Sequence, residues 1–231
     1  MRHIAMIVVL ACLAFVACGD DDADPVKIEG PYTRAFVDRS EMWHVINNIE
    51  LAYNQRKISY YEALLDENFT FFLSTGDVGG SVPESWARDV EVQANTNLFS
   101  SNPPGDLLRV KSIKLDILWE TDPNSQTPHP DGDLLIWATM PDMGPNLETW
   151  YTTTVFYDFQ ITIDLPNYEE DLHYYSSSGS KAQFIVRNAG TVDAPRWALV
   201  EMRDLGAMGA FTSASAATEQ STWGGVKALY R

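Results

Sequence analysis

Glu201 is the acidic residue whose surroundings in the sequence come nearest to a catalytic setting. In the run from Arg196 to Asp204, RWALVEMRD, it shares two-residue parity with Trp197 and Leu199. A strand that turns that face inward therefore places a carboxylate among apolar groups. Burial there raises its pKa toward the range that suits a general base. Arg203 has the same parity and would neutralise it as an ion pair. The opposite parity puts Ala198, Val200 and Met202 inside and Glu201 in water. Asp116, Asp158 and Asp164 alternate with apolar residues and fall on the polar faces of their strands. Tyr53, Trp119 and Tyr157 take inward positions, where an aromatic body with a polar tip serves as core or as the lining of a pocket. With Glu201 they make up the candidate ligand-binding residues, and Glu201 is the catalytic candidate.

Other chemistry is thinly supplied. Beyond His3 the histidines are His44, His129 and His173, far apart in unlike contexts, and the two cysteines, Cys12 and Cys18, lie near the start of the chain. Those residues offer no zinc-ligand spacing, so no metal site is expected. HExxH, GxSxG, P-loop and GxGxxG patterns are absent. Protease, hydrolase and nucleotide-binding readings are unsupported, and no cofactor is expected. The formal net charge of −16 is spread over a chain whose 16 Lys and Arg residues are scattered, Arg56-Lys57 being the only adjacent pair. Such a surface repels phosphate backbones and speaks against a nucleic-acid partner.

The first 17 residues read as a targeting segment. Met1-Arg2-His3 carries a positive charge, and Ile4 to Val16 is an apolar run too short for a stable transmembrane helix. Phe15-Val16-Ala17-Cys18 resembles the lipobox of a bacterial lipoprotein signal, with Phe15 standing where Leu is usual. The resemblance implies that Cys18 is diacylated and becomes the new N-terminus. The partner is then a membrane, reached through a lipid anchor in the bacterial cell envelope. Gly19 after the cysteine resembles the pattern of lipoproteins sent to the outer membrane, on its periplasmic or exposed side. With both cysteines at the signal, the mature domain forms no internal disulfide. Residues 18–35, opening on Gly19-Asp20-Asp21-Asp22-Ala23-Asp24-Pro25, read as an acidic tether.

The elements that must position the candidates begin near Asp38. Asp38 and Glu41 stand three apart, as in a capping box, before an apolar stripe at Met42, Val45, Ile46, Ile49, Ala52 and Tyr53. Ser59 and Glu62 frame a second, shorter helix. Phe69, Phe71 and Leu73 alternate as a strand. Ser81 and Glu84 frame a third helix lined by Trp86, Val90, Ala94 and Leu98. From Lys111 the period changes to two: Lys111–Trp119, a shorter run at Leu134–Met140, Tyr151–Leu165, a strand through Ala182, Phe184 and Val186, and Arg196–Asp204. Alternation this regular indicates antiparallel pairing with one wet and one covered face. Past Asp204, residues 205–231 form a C-terminal extension. A Ser/Ala run at 213–217 reads as a mobile link, and Thr222 caps a terminal helix that docks Trp223 and Leu229.

Helix, helix, strand, helix and then long antiparallel strands resembles the NTF2-like (SnoaL-like) cone fold. The resemblance is carried by AYNQRKISYYEALLDENFTFFLS, by the PESWARD helix start and by the closing RWALVEMRD. Assigned to residues 36–204, it implies an α+β domain with N-terminal helices packed on a curved antiparallel sheet and a cavity at the open end. The run Leu134–Met140 departs from the minimal family plan, and the three leading helices count against a plain sandwich or a lipocalin-like barrel. The resemblance also implies ligand cavities and open sheet faces that often dimerise, so a small apolar ligand and a second copy are expected partners. The preferred function is a membrane-anchored envelope lipoprotein that binds a small ligand or supports a partner protein. The alternative is a cone enzyme of isomerase or dehydratase type using a buried carboxylate.

Overall fold

The computed structural model describes residues 35–78, 83–118, 137–165, 171–176, 179–207, 218–220 and 222–231. In chain order its elements are α1 (Met42–Asn54), α2 (Ile58–Leu64), β1 (Leu65–Phe72), β2 (Ser85–Ala87), α3 (Arg88–Phe99), β3 (Val110–Leu118), β4 (Ala138–Met143), β5 (Glu148–Ile163), β6 (Leu172–Tyr175), β7 (Ser180–Asn188), β8 (Trp197–Ala207), β9 (Thr218–Gln220) and α4 (Trp223–Ala228). The signal, the acidic tether, the Ser/Ala link and Trp119 lie outside the described residues.

The 16-residue strand β5 is the spine. Val155, Tyr157, Phe159, Ile161 and Ile163 are buried along one face, while Thr154, Asp158 and Gln160 stand in water on the other. Its first half is flanked by β4 and β7, its second half by β3 and β6. The sheet runs β2-β1-β8-β7-β5-β6-β9, with β3 and β4 on the other edge of β5. Pairing is antiparallel except at β1–β8 and β6–β9, which are parallel. This antiparallel-rich sheet curls around the helices as a half-barrel, giving the α+β cone with N-terminal helices on a curved sheet that the resemblance implies.

Helix α1 lays Val45, Ile46, Ile49, Ala52 and Tyr53, all fully buried, against the inner face. Its polar residues fasten it as well. The Asn54 amide donates to the Leu115 carbonyl (2.7 Å) and accepts from the Leu115 N–H (2.8 Å), reproducing a rung of sheet pairing on β3. Glu50 accepts from the Ile117 N–H, and the Arg56 guanidinium donates to the Val110 carbonyl. A strand edge left open would invite pairing with another chain, and here the end of α1 supplies partners along it. The expected cap differs by three residues. Glu41, not Asp38, is the N-cap, its N–H donating to His44 Nδ1, because the Asp38 carboxylate is engaged by the Ser40 N–H and hydroxyl. Helix α2 begins at Ile58 rather than at a Ser59 cap. The third helix is also shorter than its apolar spacing suggests. Residues 85–87 pair with β1 as β2, which stacks Trp86 on Phe71 at 5.0 Å, and α3 starts only at Arg88.

One cross-strand polar contact holds the far corner. Arg187 on β7 donates Nε to Asp66 at 2.7 Å and pairs with Glu148 at 3.1 Å; the Asp66 side chain is 3% exposed. Removing Arg187 would leave a buried carboxylate with no cation, a loss that costs far more than the intact pair contributes. Arg187→Ala is therefore expected to lower unfolding free energy by about 3 kcal/mol in urea titrations, and Asp66→Asn in the same chain should recover part of the loss. Equal stability of wild type and Arg187→Ala would refute this account of the corner.

Candidate functional site

The inner face of the sheet and the helices enclose a space, and the end of the chain enters it. Six-residue α4 is capped by Thr222, whose hydroxyl accepts from the Gly225 N–H at 3.0 Å. Two glycines in so short a helix each cost about 1 kcal/mol relative to alanine, so what it buries must hold it in place. Trp223, Val226 and Lys227 are fully buried and Tyr230 is 2% exposed. The expectation that Leu229 docks alongside Trp223 is corrected. Leu229 is 52% exposed, and helical spacing sends Val226, Lys227 and Tyr230 inward instead.

The Trp223 indole sits in an aromatic cage. Tyr53 meets it edge-on at 4.9 Å and Tyr157 at 5.6 Å, with Phe159 stacked at 6.2 Å and Phe184 at 6.4 Å. Such ring pairs contribute about 0.5–1.5 kcal/mol each beyond burial. The fit is incomplete at one atom. The buried indole N–H has no acceptor of normal geometry among the described residues.

One turn along, Lys227 reaches Glu91, and both side chains are 0% exposed. Glu91 Oε1 accepts from Lys227 Nζ (2.8 Å), the Tyr61 hydroxyl (2.5 Å) and the Asn95 amide (2.9 Å), while Oε2 accepts from the Trp86 indole (2.6 Å). Tyr53 donates to the Asn95 carbonyl oxygen and extends the network. Lys227 Nζ also lies 3.3 Å from the centroid of the Phe71 ring and 5.4 Å from that of Trp223. Burial pulls the Lys227 pKa below its ordinary value, with Glu91 opposing the change. Burial first, and then the Glu91 charge, hold the Tyr53 and Tyr61 hydroxyls well above theirs.

A second carboxylate anchors the start of α4. Asp204 accepts from the Gly224 N–H (2.6 Å), the Gly206 N–H (3.0 Å) and the Tyr157 hydroxyl (3.0 Å), and Tyr157 in turn accepts from the Trp223 N–H. Burial raises the Asp204 pKa despite these donors. Packing at Gly224 is tight: a Cβ there would stand 3.1 Å from Asp204 Oδ2 and 3.2 Å from Phe71, so a side chain would push these neighbours apart by a few tenths of an ångström.

Of the candidate residues, Tyr53 and Tyr157 meet inside the cone around Trp223, and Trp119 and Cys18 lie outside the described residues. Glu201 is not with them. Between Leu199 and Glu201 the pairing with β7 slips by one residue, from Val186↔Leu199 to Ile185↔Glu201. The extra residue reverses parity, so Leu199, Met202 and Asp204 face inward, while Glu201 and Arg203 share the outer face. There Glu201 accepts from Arg203 at 2.7 Å, and the guanidinium lies over Phe72. Glu201 as a base inside the apolar cone is thereby corrected. The outer face does carry a depression of about 290 Å³ beside β6, lined by Asp158, Thr162, His173 and Tyr175 among others. It lies away from both interior carboxylates. Among the described residues no group of three or more His, Cys, Asp or Glu is placed to hold a metal.

Glu91 and Lys227 had no place among the candidates, yet Glu91 was legible. Glu91, Ala94, Asn95 and Leu98 follow i, i+3, i+4, i+7, and all four are buried. Asp204 was not, because its inward direction depends on the slipped residue in β8.

The Lys227 shift fixes a pH dependence. A lysine whose native pKa is lowered binds its proton less readily folded than unfolded, so its unfavourable contribution fades as pH climbs from the native value toward 10.5. The stability of the wild-type chain relative to Lys227→Met is therefore expected to increase across that window in denaturant titrations. A gap that stays flat or narrows would contradict the assignment.

No protein-family model matches the chain, and no curated protein matches it. Solved structures do. A conserved protein from Planctomyces limnophilus is 11% identical over 69% of this chain and 88% of its own, with a TM-score of 0.39. An NTF2-like protein of unknown function in nutrient uptake from Rhodospirillum rubrum is 10% identical over 71% and 95%, with a TM-score of 0.38. An NTF2-like superfamily protein from Salmonella enterica is 10% identical over 74% and 91%, also at 0.38. The chain is similar in fold to these three proteins, two of which are described as NTF2-like, and its own strand order and helix placement define the cone.

Proposed function

We propose that this protein is a non-catalytic, lipid-anchored envelope protein whose cone interior is a binding site that its own C-terminal helix fills and vacates. The observation that carries the reading is the fully buried Trp223–Lys227 pair in the space where a cone of this kind would receive a ligand. Several features favour a removable tenant over a fixed wall. The helix has six residues and two adjacent glycines. Its lysine and the opposing Glu91 both lose hydration on docking, a cost of several kcal/mol per ion that only good geometry offsets. Anchorage rests on Phe15-Val16-Ala17-Cys18 and the acidic run after it.

The isomerase or dehydratase reading has one observation in its favour, a buried Asp204 beside the Tyr157 hydroxyl. That carboxylate, however, is occupied by the Gly206 and Gly224 N–H groups as well. Asp66, the other buried acid near a strand start, is neutralised by Arg187.

Two measurements test the proposal. In native-state hydrogen exchange, the α4 amides are expected to exchange through an opening well below the free energy that frees β5 and β7; exchange of α4 only with the core would refute the tenant. Mass spectrometry of membrane fractions should find a mature chain beginning at a diacylated Cys18. A soluble chain with an unmodified Cys18 would end the anchorage.

A further inference from the structure

We infer that the vacated cone is a receptor for an aromatic ammonium compound, a ring system bearing a protonated amine on a short arm, and that Trp223 and Lys227 occupy it by imitation. The inference rests on the tenant reading and adds the chemistry of the ligand. What remains when α4 leaves is specified by other elements. Tyr61 comes from α2, Trp86 from β2, and Glu91 and Asn95 from α3, so the carboxylate keeps three neutral donors and loses its cation. Asp204 keeps Tyr157 and Gly206. The interior then holds two carboxylates without the ammonium that balanced them. A neutral guest leaves Glu91 buried and unpaired, and an anion adds like-charge repulsion, so the site selects for positive charge.

The cation position has a second wall. Phe71 presents its ring 3.3 Å from Nζ and is itself stacked on Trp86, which places the ammonium over an aromatic face as well as on a carboxylate. The ring position is the cage of Tyr53, Tyr157, Phe159 and Phe184. The Nζ-to-indole separation of 5.4 Å is one that a two-carbon arm on an aromatic ring can span. Tyr53 contacts both halves, touching the indole with its ring and reaching Asn95 with its hydroxyl.

The probe is tryptamine, and its control is indole-3-propionate, which keeps ring and arm but reverses the charge. Titrating the full-length wild-type chain with tryptamine is expected to give a saturable loss of amide protection confined to α4, and the propionate none. In a Trp223→Ala/Lys227→Ala chain, tryptamine should raise Tm with concentration, and adding Glu91→Gln should weaken its binding by at least about 30-fold. Equal responses to the two compounds overturn the inference. So does indifference to tryptamine in a wild-type chain whose α4 opens on its own, an outcome that leaves the tenant reading standing. An α4 that exchanges only with the core overturns that reading itself. Should the double variant not fold, the wild-type titration decides alone.

Discussion

The contact between Glu91 and Lys227 is the constraint on which the interior depends. Two full charges sit at zero exposure inside a curled sheet, and a lone ion there would cost several kcal/mol. Every neighbour is arranged to limit that cost. Tyr61, Trp86 and Asn95 give Glu91 hydrogen bonds from three sides, and Phe71 gives the ammonium an aromatic face. An apolar pair of similar volume would have filled the same space with less penalty. On the proposed reading, the charges do something apolar packing cannot, which is to fix the identity and register of whatever enters. A six-residue helix with two glycines has little register of its own, and the lysine supplies it.

The shell around this contact is rigid for separate reasons. The side chains of Asn54, Glu50 and Arg56 satisfy backbone groups of β3, so α1 is tied to the sheet by directional bonds as well as by its apolar stripe. Across the cone, β5 is flanked by β4 and β3 on one edge and by β7 and β6 on the other. The helices and the spine thus keep Glu91, Tyr53 and Tyr157 in place independently of α4. Asp204 belongs to the shell through β8, and its Gly224 contact is the point where shell and tenant meet. The close approach there favours glycine, so the sequence of α4 suits its seat.

Much of the shell could be read from residue order. The α1 stripe, the alternation of β3, β5 and β7, and the helix-then-strand succession follow from periods of 3.6 and 2 and were legible. What failed did so at places where one residue changes direction. The slip at β8 turned Glu201 outward and Asp204 inward, and nothing in RWALVEMRD marks which residue bulges. The pairing of Ser85–Ala87 with β1 took the start of α3 away from its expected cap. The parallel partner of β1 and the β6–β9 pair arise from long-range closure, which local pattern does not encode. Tyr53 and Tyr157 were correctly read as inward, but their partner, the indole of Trp223, lies at the other end of the chain. The interior pair was only half legible. The spacing of Glu91 with Ala94, Asn95 and Leu98 puts it on the inward stripe of α3, but its partner Lys227 lies 136 residues away, and no local pattern encodes their meeting.

Charge links the interior to the exterior. A chain with net charge −16 draws cations toward its surface and disfavours anions before either reaches the cone. Long-range attraction of this kind is screened by salt and does not distinguish one amine from another. Discrimination has to come from the desolvated site, where a carboxylate with three neutral donors and no cation meets an aromatic cage of fixed shape. The two effects act in sequence, the surface setting how often cations arrive and the interior setting which of them can displace Lys227. A tenant bearing its own ammonium keeps the buried carboxylate neutralised in the interval.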